Sequence, residues 1–227
     1  MPNSYLQKAV HSMHECFMRR RFQLFLDVID IRKGDLIVDL GGGNGEFFEL
    51  FQKNRDDYEI LVADISEEAL DEAHKKGFMT VLLRESEQLP FRDGEIDVVF
   101  CNSVIEHCTV PKSAIWTMTD DDEFRAAATI AQTRFAKEIE RVGRRYFVQT
   151  PSASFPIESH TLFPLTGKLS RPHQIAMIRW LNRFWFKKTS PDWQLLNRED
   201  MQALFEGGTV QETRWLGLAK EIIAYRN

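Results

Sequence analysis

Three glycines at alternate positions, Gly41, Gly43 and Gly45, are the residues whose type and spacing first point to chemistry. They follow a short apolar run that Asp39 interrupts, and a helical pattern begins at Glu46. A loop without side chains can bring its backbone amides against a ligand, and a helix amino-terminus favours anionic groups. The stretch therefore predicts a strand, a ligand-binding loop and a helix, as at the ligand crevice of open α/β sheets.

A second acidic residue, Asp64, ends the next apolar run, Tyr58 to Ala63. In a fold of this kind, an acidic residue at the end of the second strand can accept hydrogen bonds from both hydroxyls of a ribose. The alternative is that Asp64 caps the helix beginning at Glu67, a role for which Ser66 is equally suited. We favour the ribose role and count Ile65, next to Asp64, among the cofactor-binding residues.

The spacing of the glycines separates two classes of cofactor. A dinucleotide-binding loop carries its glycines as GxGxxG, whereas here the position of the third glycine is Glu46 and the string is GxGxG. An acidic residue, Asp39, followed by Gly41, Gly43 and Gly45 resembles the first motif of class I S-adenosylmethionine-dependent methyltransferases. The resemblance implies that S-adenosylmethionine is the cofactor and that these four residues belong to its site.

A longer string, residues 84–100, resembles the small-molecule, type 11-like members of the same class. In that family an acidic and a small residue precede Leu-Pro-Phe, a turn and a strand. Here the corresponding residues are Glu85 with Ser86, then Leu89 to Phe91, then Ile96 to Val99. Aspartate is usual at the first position, and the resemblance implies that the acid accepts from the adenine amino group, which either carboxylate can do.

The segment Asn102 to His107 resembles a third motif of this family, which lines the methionine end of the cofactor and the entrance for the acceptor. Asn102 and Ser103 are therefore implied to bind the cofactor. His107 is a candidate general base, and a neutral histidine that anchors the loop is the alternative. Because Glu106 and His107 are adjacent, they lie about 100° apart on a helix and cannot form a helical metal pair.

No metal site is predicted. The three cysteines have no CxxC spacing, which argues against zinc. The acidic run 119–123 is interpreted as a helix start rather than as a magnesium site, because helix amino-termini attract carboxylates.

The proline-rich loop 150–164 carries the second set of candidate catalytic residues. It resembles an FPxExH segment found after the fifth strand in a bacterial subgroup of these methyltransferases. Glu158 and His160 lie on one side of the chain if the loop is extended. They are the predicted general-base pair, in which Glu158 orients the imidazole of His160; a purely structural hydrogen-bonded loop is the alternative.

The composition excludes several classes of protein. With 43% hydrophobic and 28% charged residues, the 227-residue chain is typical of a globular protein, and its net charge of −5 argues against a general nucleic-acid-binding surface. About 18 consecutive apolar residues occur nowhere, and the amino-terminus has no apolar signal region. These features and the unpaired cysteines predict a cytoplasmic protein that is neither exported nor membrane-spanning.

The order of apolar runs predicts an α/β fold, and the resemblance implies a Rossmann-like, seven-stranded, mostly parallel sheet with helices on both faces. We expect a helical cap at residues 1–33 and a cofactor-binding domain at 34–227. Within that domain, residues 109–130 are an expected helical insertion, and residues 159–191 are an expected basic, aromatic lid.

That lid segment contains six cations and no acidic residue. Arg179, Arg183 and Lys187 repeat every four residues, which predicts one cationic stripe on a helix with a broad apolar face. The plain interpretation is a helix packed on the domain with its cations in water. The alternative is that residues 171–188 recognise an anionic or lipid-linked acceptor or touch an anionic membrane surface.

These observations predict an enzyme that transfers a methyl group from S-adenosylmethionine to an oxygen, nitrogen or carbon atom of a small-molecule acceptor, with no nucleic-acid partner. Alignment of the reactants is expected to provide most of the acceleration. An NAD(P)-dependent oxidoreductase is the first alternative, and an S-adenosylmethionine-binding module without turnover is the second.

Overall fold

The computed structural model describes residues 4–50, 58–84 and 88–227, and for residues 4–14 it describes the backbone alone. In chain order its helices and strands are α1 (Ser4–Val28), β1 (Asp35–Leu40), α2 (Glu46–Leu50), β2 (Tyr58–Asp64), α3 (Glu67–Lys75), β3 (Met79–Leu82), β4 (Ile96–Asn102), α4 (Asp121–Val142), β5 (Gly143–Pro151), α5 (Arg171–Phe184), α6 (Arg198–Leu204), β6 (Thr209–Trp215) and β7 (Leu218–Arg226).

The strands of the described chain form one seven-stranded sheet in the order β3-β2-β1-β4-β5-β7-β6. Strands β1 to β5 pair in parallel, and β7 is antiparallel to both of its neighbours. The strand order reverses between β1 and β4, and ligands bind at such a point, beyond the carboxyl ends of the strands. The predicted fold class is confirmed, and its topology directs attention to the ends of β1 and β4.

Helices cover both faces of the sheet, as the buried strands require. Alternate residues of β1 point to opposite faces, so Ile37 packs in the core that contains Phe25 of α1, and Val38 packs in the core that contains Ile139 of α4. The Phe25 ring lies 5.0 Å from the Phe100 ring of β4. Helix α1, which the sequence predicts as part of a separate cap, therefore shares one core with the sheet.

The expected insertion at residues 109–130 is shorter in the structure. Helix α4 begins at Asp121, and the Asp120 side chain caps it by accepting from the Glu123 amide at 2.9 Å. The second half of the expected insertion is thus the first turns of a long helix packed on the sheet. The acidic run is a helix start, as the sequence indicates.

The prediction of one cationic stripe on a helix is wrong for Lys187, one of its three residues. Helix α5 ends at Phe184, and Trp185 is extended, because its indole nitrogen donates to the Thr161 carbonyl at 2.8 Å. Lys187 therefore lies beyond the helix and donates to the Ser159 carbonyl at 2.6 Å. Trp180 and Phe184 are exposed, whereas the sequence places them beside the apolar face. Within the described ranges, no helix has both the length and the apolar composition that crossing a bilayer requires.

Candidate active site

The glycine loop leaves β1 in a conformation that favours glycine. Gly41, Gly43 and Gly45 all have positive φ, at 75°, 55° and 72°. A Cβ atom at Gly41 would clash with the Val104 side chain, and one at Gly45 would clash with Phe78. A Cβ atom at Gly43 would meet no described atom within 4 Å. The outer two glycines therefore permit close packing, and Gly43 faces open space.

Asp64, at the end of β2, holds this loop. Its Oδ2 accepts from the Gly43 amide at 2.9 Å, and its Oδ1 accepts from the Ser66 amide at 2.9 Å. Ser66 is the residue that caps α3, because its hydroxyl accepts from the Ala69 amide. Each carboxylate oxygen can accept a further hydrogen bond. Beside Asp64, Ile65 is 45% exposed and offers an apolar surface at the loop.

Asp39 lies beneath the loop and lacks a partner. It is 2% exposed, and its Oδ2 makes no hydrogen bond within the described ranges. A Cβ atom at Gly42 would clash with this carboxylate, so the loop passes directly over it. Burial, and then the charge of Asp64, raise the pKa of Asp39 to about 7. A cationic group above the loop would offset the charge of the Asp39 carboxylate, and the ammonium group of S-adenosylmethionine is such a group.

Glu85 and Ser86, the predicted adenine-binding residues, lie outside the described residues. The rest of their motif is anchored to α4. The Leu89 amide donates to Glu138 Oε2 at 2.9 Å, and Arg141 donates to the Leu89 carbonyl at 3.1 Å. This anchoring fixes where the chain returns toward β4.

Asn102 and Ser103 lie at the carboxyl end of β4. Ser103 has a positive φ of 57° and donates to Gln149 Oε1 at 3.0 Å. The Asn102 amide oxygen accepts from Arg21 of α1 at 3.4 Å, and Arg21 forms a 2.6 Å ion pair with Glu221 of β7. Arg21 is not among the site residues predicted from the sequence.

Two histidines from separate segments meet beyond β4 and β5. A 3₁₀ turn, Ile105–His107, follows β4, and His107 Nε2 lies 3.1 Å from His160 Nε2. The Nδ1 atom of His160 lies 2.5 Å from Glu158 Oε1, and that of His107 lies 3.4 Å from Asp192 Oδ1. The predicted contact between Glu158 and His160 is therefore present.

The backbone geometry expected for that pair is wrong. Glu158 Oε1 also accepts from the His160 amide at 2.8 Å, and Oε2 accepts from the Thr161 amide at 2.7 Å. These bonds close a turn rather than an extended segment. The turn fixes the carboxylate more rigidly than an extended chain would, because both of its oxygens are held by the backbone.

In this cluster the pKa of a histidine is raised, and the pKa values of the neighbouring carboxylates are lowered. Burial acts to lower the pKa of His107, but the hydrogen bond to Asp192 and the charge of Glu106 raise it overall. Burial acts to raise the pKa of Glu158 and Asp192, but the adjacent histidine lowers each overall. Ionised carboxylates therefore surround the two imidazoles.

Three members of this cluster were not among the predicted site residues. Glu106 is 0% exposed, and its Oε2 accepts from the Thr150 hydroxyl at 2.9 Å. The Trp193 ring stacks on His160 with 5.1 Å between centroids. Glu106 is adjacent to His107 in the sequence, but Asp192 and Trp193 follow Pro191 in a stretch with no local signal.

A cleft of about 460 Å³ is lined in part by Trp193, the residue that stacks on His160. Helices α4, α5 and α6 and residues 193–197 border it, with Gln132 and Arg171 among the lining side chains. Gln132 donates to the carbonyls of Ile105 and Gln194, so it ties the 3₁₀ turn to the cleft wall.

The loop and the histidine cluster share one edge of the sheet. Val104 is packed against Gly41 and lies two residues before Glu106. Strands β1, β4 and β5 are neighbours, so their carboxyl ends place both sets of residues side by side. One ligand could reach from the glycine loop toward the two imidazoles.

Comparison with known proteins finds a match for part of this chain. Residues 38–119 match a family model described as a methyltransferase domain. The chain is 31% identical over 109 residues to a malonyl-[acyl-carrier protein] O-methyltransferase of Hamiltonella defensa subsp. Acyrthosiphon pisum (strain 5AT). That match covers 46% of this chain and 41% of the relative, so the aligned part is less than half of either protein.

Solved structures share the fold at low identity. The putative methyltransferase complexed with the Haloferax volcanii Trm112 activator has a TM-score of 0.57 at 12% identity, covering 98% of this chain and 95% of that chain. A putative zinc-dependent alcohol dehydrogenase of Rhodobacter sphaeroides scores 0.57 at 13%, covering 91% and 87%. A putative antibiotic-pathway methyltransferase of Anabaena variabilis ATCC 29413 scores 0.52 at 13%, covering 86% and 64%. These likenesses concern the fold alone.

The matched segment contains Asp39, the three glycines of the loop, Asp64 and the turn with His107. It therefore spans most of the described site. The match agrees with S-adenosylmethionine as the cofactor predicted from the glycine spacing. The match over residues 38–119 supports the family predicted from the sequence, and the chain shares its fold with solved putative methyltransferases.

Proposed function

We propose that this protein transfers a methyl group from S-adenosylmethionine to a small-molecule acceptor. The observation that carries the proposal is the glycine loop, which Asp64 fixes at the Gly43 amide and which passes at Gly42 over the buried Asp39 carboxylate, whose Oδ2 has no hydrogen-bond partner among the described residues. A loop shaped only as a tight turn needs no buried acid beneath it.

The cofactor-binding residues have distinct proposed roles. Asp64 accepts from the ribose hydroxyls, and Ile65 contacts the adenosine. Glu85 and Ser86 are proposed at the adenine. Asp39, Asn102 and Ser103 are proposed at the methionine end, together with the glycines. When bound, the cofactor would supply a methyl group on a sulfonium: a lone pair of the acceptor would bond to the methyl carbon as the carbon–sulfur bond breaks, and the neutral thioether would leave.

The acceptor is proposed to lie against the histidine cluster. For a hydroxyl or amine acceptor, His160 takes the proton that the acceptor loses, whereas a carboxylate acceptor has none to lose. Glu158 orients the imidazole, and His107 completes the polar wall. The 2.5 Å contact between His160 and Glu158 and the stacked Trp193 ring support a fixed imidazole orientation. Trp193 also separates this region from bulk water, since it is almost fully buried.

An anionic acceptor is the proposed substrate class, and a carboxylate on a larger carrier is its first representative.

 Arg179 and Arg183 are exposed on α5 and give that helix a cationic surface in a chain of net charge −5. The relative from Hamiltonella is named for a malonyl group on an acyl-carrier protein. Malonyl thioesters, carboxylic acids and phosphate-bearing sugars or lipids are therefore the first acceptors to test, and contact of residues 171–188 with an anionic membrane is the proposal for lipid-linked acceptors.

An acceptor screen tests the proposal. The full chain is incubated with S-adenosylmethionine and each candidate, and release of S-adenosylhomocysteine is measured against a sample without acceptor. At least one anionic acceptor should accelerate release, and the Gly43→Val variant should remove that acceleration. Binding of the cofactor without turnover on any acceptor would favour the non-catalytic module.

A further inference from the structure

The two imidazoles face each other in an arrangement that calls for a positive charge between them. The Nδ1 atom of each points at a carboxylate, Glu158 for His160 and Asp192 for His107. When each Nδ1 carries the hydrogen donated to its carboxylate, each Nε2 presents a lone pair. Two such lone pairs lie 3.1 Å apart, and they repel unless a proton or a cation lies between them.

A third donor atom points into the same space. Glu106 Oε1 is buried and makes no hydrogen bond in the described part of the chain, although Oε2 of the same carboxylate is held by Thr150. Oε1 lies 3.9 Å from His160 Nε2. A buried carboxylate oxygen without a partner is costly, and a metal ion is one of the few groups that satisfies it.

We propose that Glu106, His107 and His160 bind one divalent first-row transition-metal ion. One donor atom from each of the three lies within 4.8 Å of the other two. Two nitrogens bound to one tetrahedral zinc ion at about 2.0–2.1 Å are about 3.3 Å apart, close to the separation found here. Two histidines and one carboxylate form a known ligand set for such ions, and this set leaves positions open for a substrate.

The surroundings of the three ligands match those of metal sites. Each ligating imidazole has its other nitrogen on a carboxylate, an arrangement that fixes the ring and makes Nε2 a better ligand. Glu158 is itself held by two backbone amides. The three carboxylates of Glu106, Glu158 and Asp192 outnumber the two cations near them, Lys187 and Arg171, so a bound cation would offset an excess of formal negative charge.

The sequence arguments against a metal concerned a helical pair, the cysteine spacing and the acidic run 119–123, and not donors from separate segments. Glu106 and His107 are adjacent, and their third partner, His160, lies 53 residues further along the chain. A 3₁₀ turn and a separate loop therefore bring together donors that no local spacing predicts.

The role of this ion rests on the proposed function. With the ion bound, the imidazoles act as ligands, so an acceptor hydroxyl on an open position would lose its proton to solvent because the metal lowers its pKa. In the metal-bound chain this route takes the place of proton removal by His160, so that loss of His160 lowers turnover through the lost ligand instead of the lost base. It also narrows the acceptor class to oxygen nucleophiles that can reach the metal.

A cobalt titration tests the site without requiring activity. The full chain is stripped of metal and titrated with Co²⁺, and the visible absorption of the bound ion is recorded. We expect saturation at one ion per chain and displacement by Zn²⁺. The variants Glu106→Gln, His107→Gln and His160→Gln should each weaken binding by at least about 100-fold, and Glu158→Gln and Asp192→Asn by about 10- to 100-fold.

Two matched variants control for other histidines and acids. His74→Gln changes an exposed histidine of α3, and Asp122→Asn changes the acidic start of α4; both should bind Co²⁺ as the unaltered chain does. Circular dichroism checks that every variant is folded. Absence of saturable binding, or equal affinity in the folded Glu106→Gln and His160→Gln variants, would overturn the metal site.

The same samples separate this inference from the proposed function. S-adenosylhomocysteine binding is measured by calorimetry before any metal is added. A chain that binds this ligand but not Co²⁺ loses the metal site and keeps its proposed function. A chain that binds Co²⁺ but not S-adenosylhomocysteine keeps the metal site and loses the proposed function.

Discussion

The two ends of the proposed active site use different parts of the polypeptide. At the glycine loop, backbone amides and missing side chains define the site, and the participating residues lie between Asp39 and Asp64. At the histidine cluster, side chains make nearly all of the contacts, and they come from four separate stretches around residues 106, 150, 158 and 192. We therefore expect that added side-chain atoms impair cofactor binding at the loop, and that removed side-chain atoms impair turnover at the cluster.

The largest expected effect is that of a side chain added at Gly43. Gly43→Val should abolish S-adenosylhomocysteine binding, with a loss of at least about 100-fold, because the new side chain occupies the open space that the ligand needs. Isothermal titration calorimetry measures the loss.

Gly94→Val is the matched control. Gly94 also has a positive φ, 63°, and its Cβ would also meet no described atom, so the two variants share the backbone strain. Gly94→Val should retain binding. If Gly43→Val does not fold, Gly43→Ala carries the test, and undiminished binding in both Gly43 variants would make the loop a structural turn only.

For the histidine cluster we expect a loss of turnover without a loss of cofactor affinity. His160→Asn should lower the turnover of an identified acceptor by about 10²- to 10⁴-fold, the usual range for a lost proton-transfer group. It should leave S-adenosylhomocysteine affinity within about threefold, because the cluster does not contact the glycine loop through His160. Steady-state kinetics and calorimetry on the same sample measure both quantities.

His173→Asn, at an exposed histidine of α5, is the control for that substitution. Equal turnover in His160→Asn and His173→Asn would remove the cluster from the reaction. Loss of cofactor affinity in His160→Asn would show that the two ends are not separable.

Asp64→Asn should have an intermediate effect on the loop. A hydrogen bond to a charged group contributes about 1.5–3 kcal/mol, so affinity for S-adenosylhomocysteine should fall by about 10- to 100-fold. The amide oxygen of asparagine can still accept from Gly43, which preserves the loop. Asp71→Asn on α3 is the control, and an unchanged affinity in Asp64→Asn would place the ribose elsewhere.

The residues of the glycine loop could be predicted from the sequence, whereas only some residues of the histidine cluster could. Asp39, the glycines and Asp64 are close in sequence, and their spacing is set by one strand, one helix and one further strand, so a local pattern suffices. The contact of Glu158 with His160 is local too, and its prediction succeeded although its backbone geometry did not.

The remaining members of the cluster depend on long-range packing. Asp192 and Trp193 reach the histidines because the chain leaves α5 at Trp185, whose indole bonds to the Thr161 carbonyl. The same tertiary contact removed Lys187 from the predicted stripe. Helical periodicity continues past residue 184 in the sequence, whereas the helix itself ends at Phe184.

The smallest expected effect is a change in the free energy of unfolding, and two aspartates of β1, Asp39 and Asp35, are compared to measure it. Asp39→Asn should raise the free energy of unfolding of the ligand-free chain at pH 8, by on the order of 1 kcal/mol or more, because the buried carboxylate has a raised pKa. The gain should be absent below about pH 4, should grow as the unfolded state ionises, and should level off above pH 7. Urea unfolding across this range measures it.

Asp35→Asn should change stability in the opposite direction. Burial acts to raise the pKa of Asp35, but the bonds from Arg145 and the Arg32 amide lower it overall. Its contribution is therefore present above the ordinary value of 3.8 and is lost as the pH falls below it. A stability loss in both variants would contradict the assignment of Asp39 as an unpaired acid kept for a ligand.

The most direct test of the account is a calorimetric titration of the full chain with S-adenosylhomocysteine and, separately, with NAD. The glycine spacing, the open space at Gly43 and the acid at residue 64 predict micromolar binding of S-adenosylhomocysteine at one molecule per chain and no saturable binding of NAD. Saturable binding of NAD without binding of S-adenosylhomocysteine would contradict the account and favour the oxidoreductase.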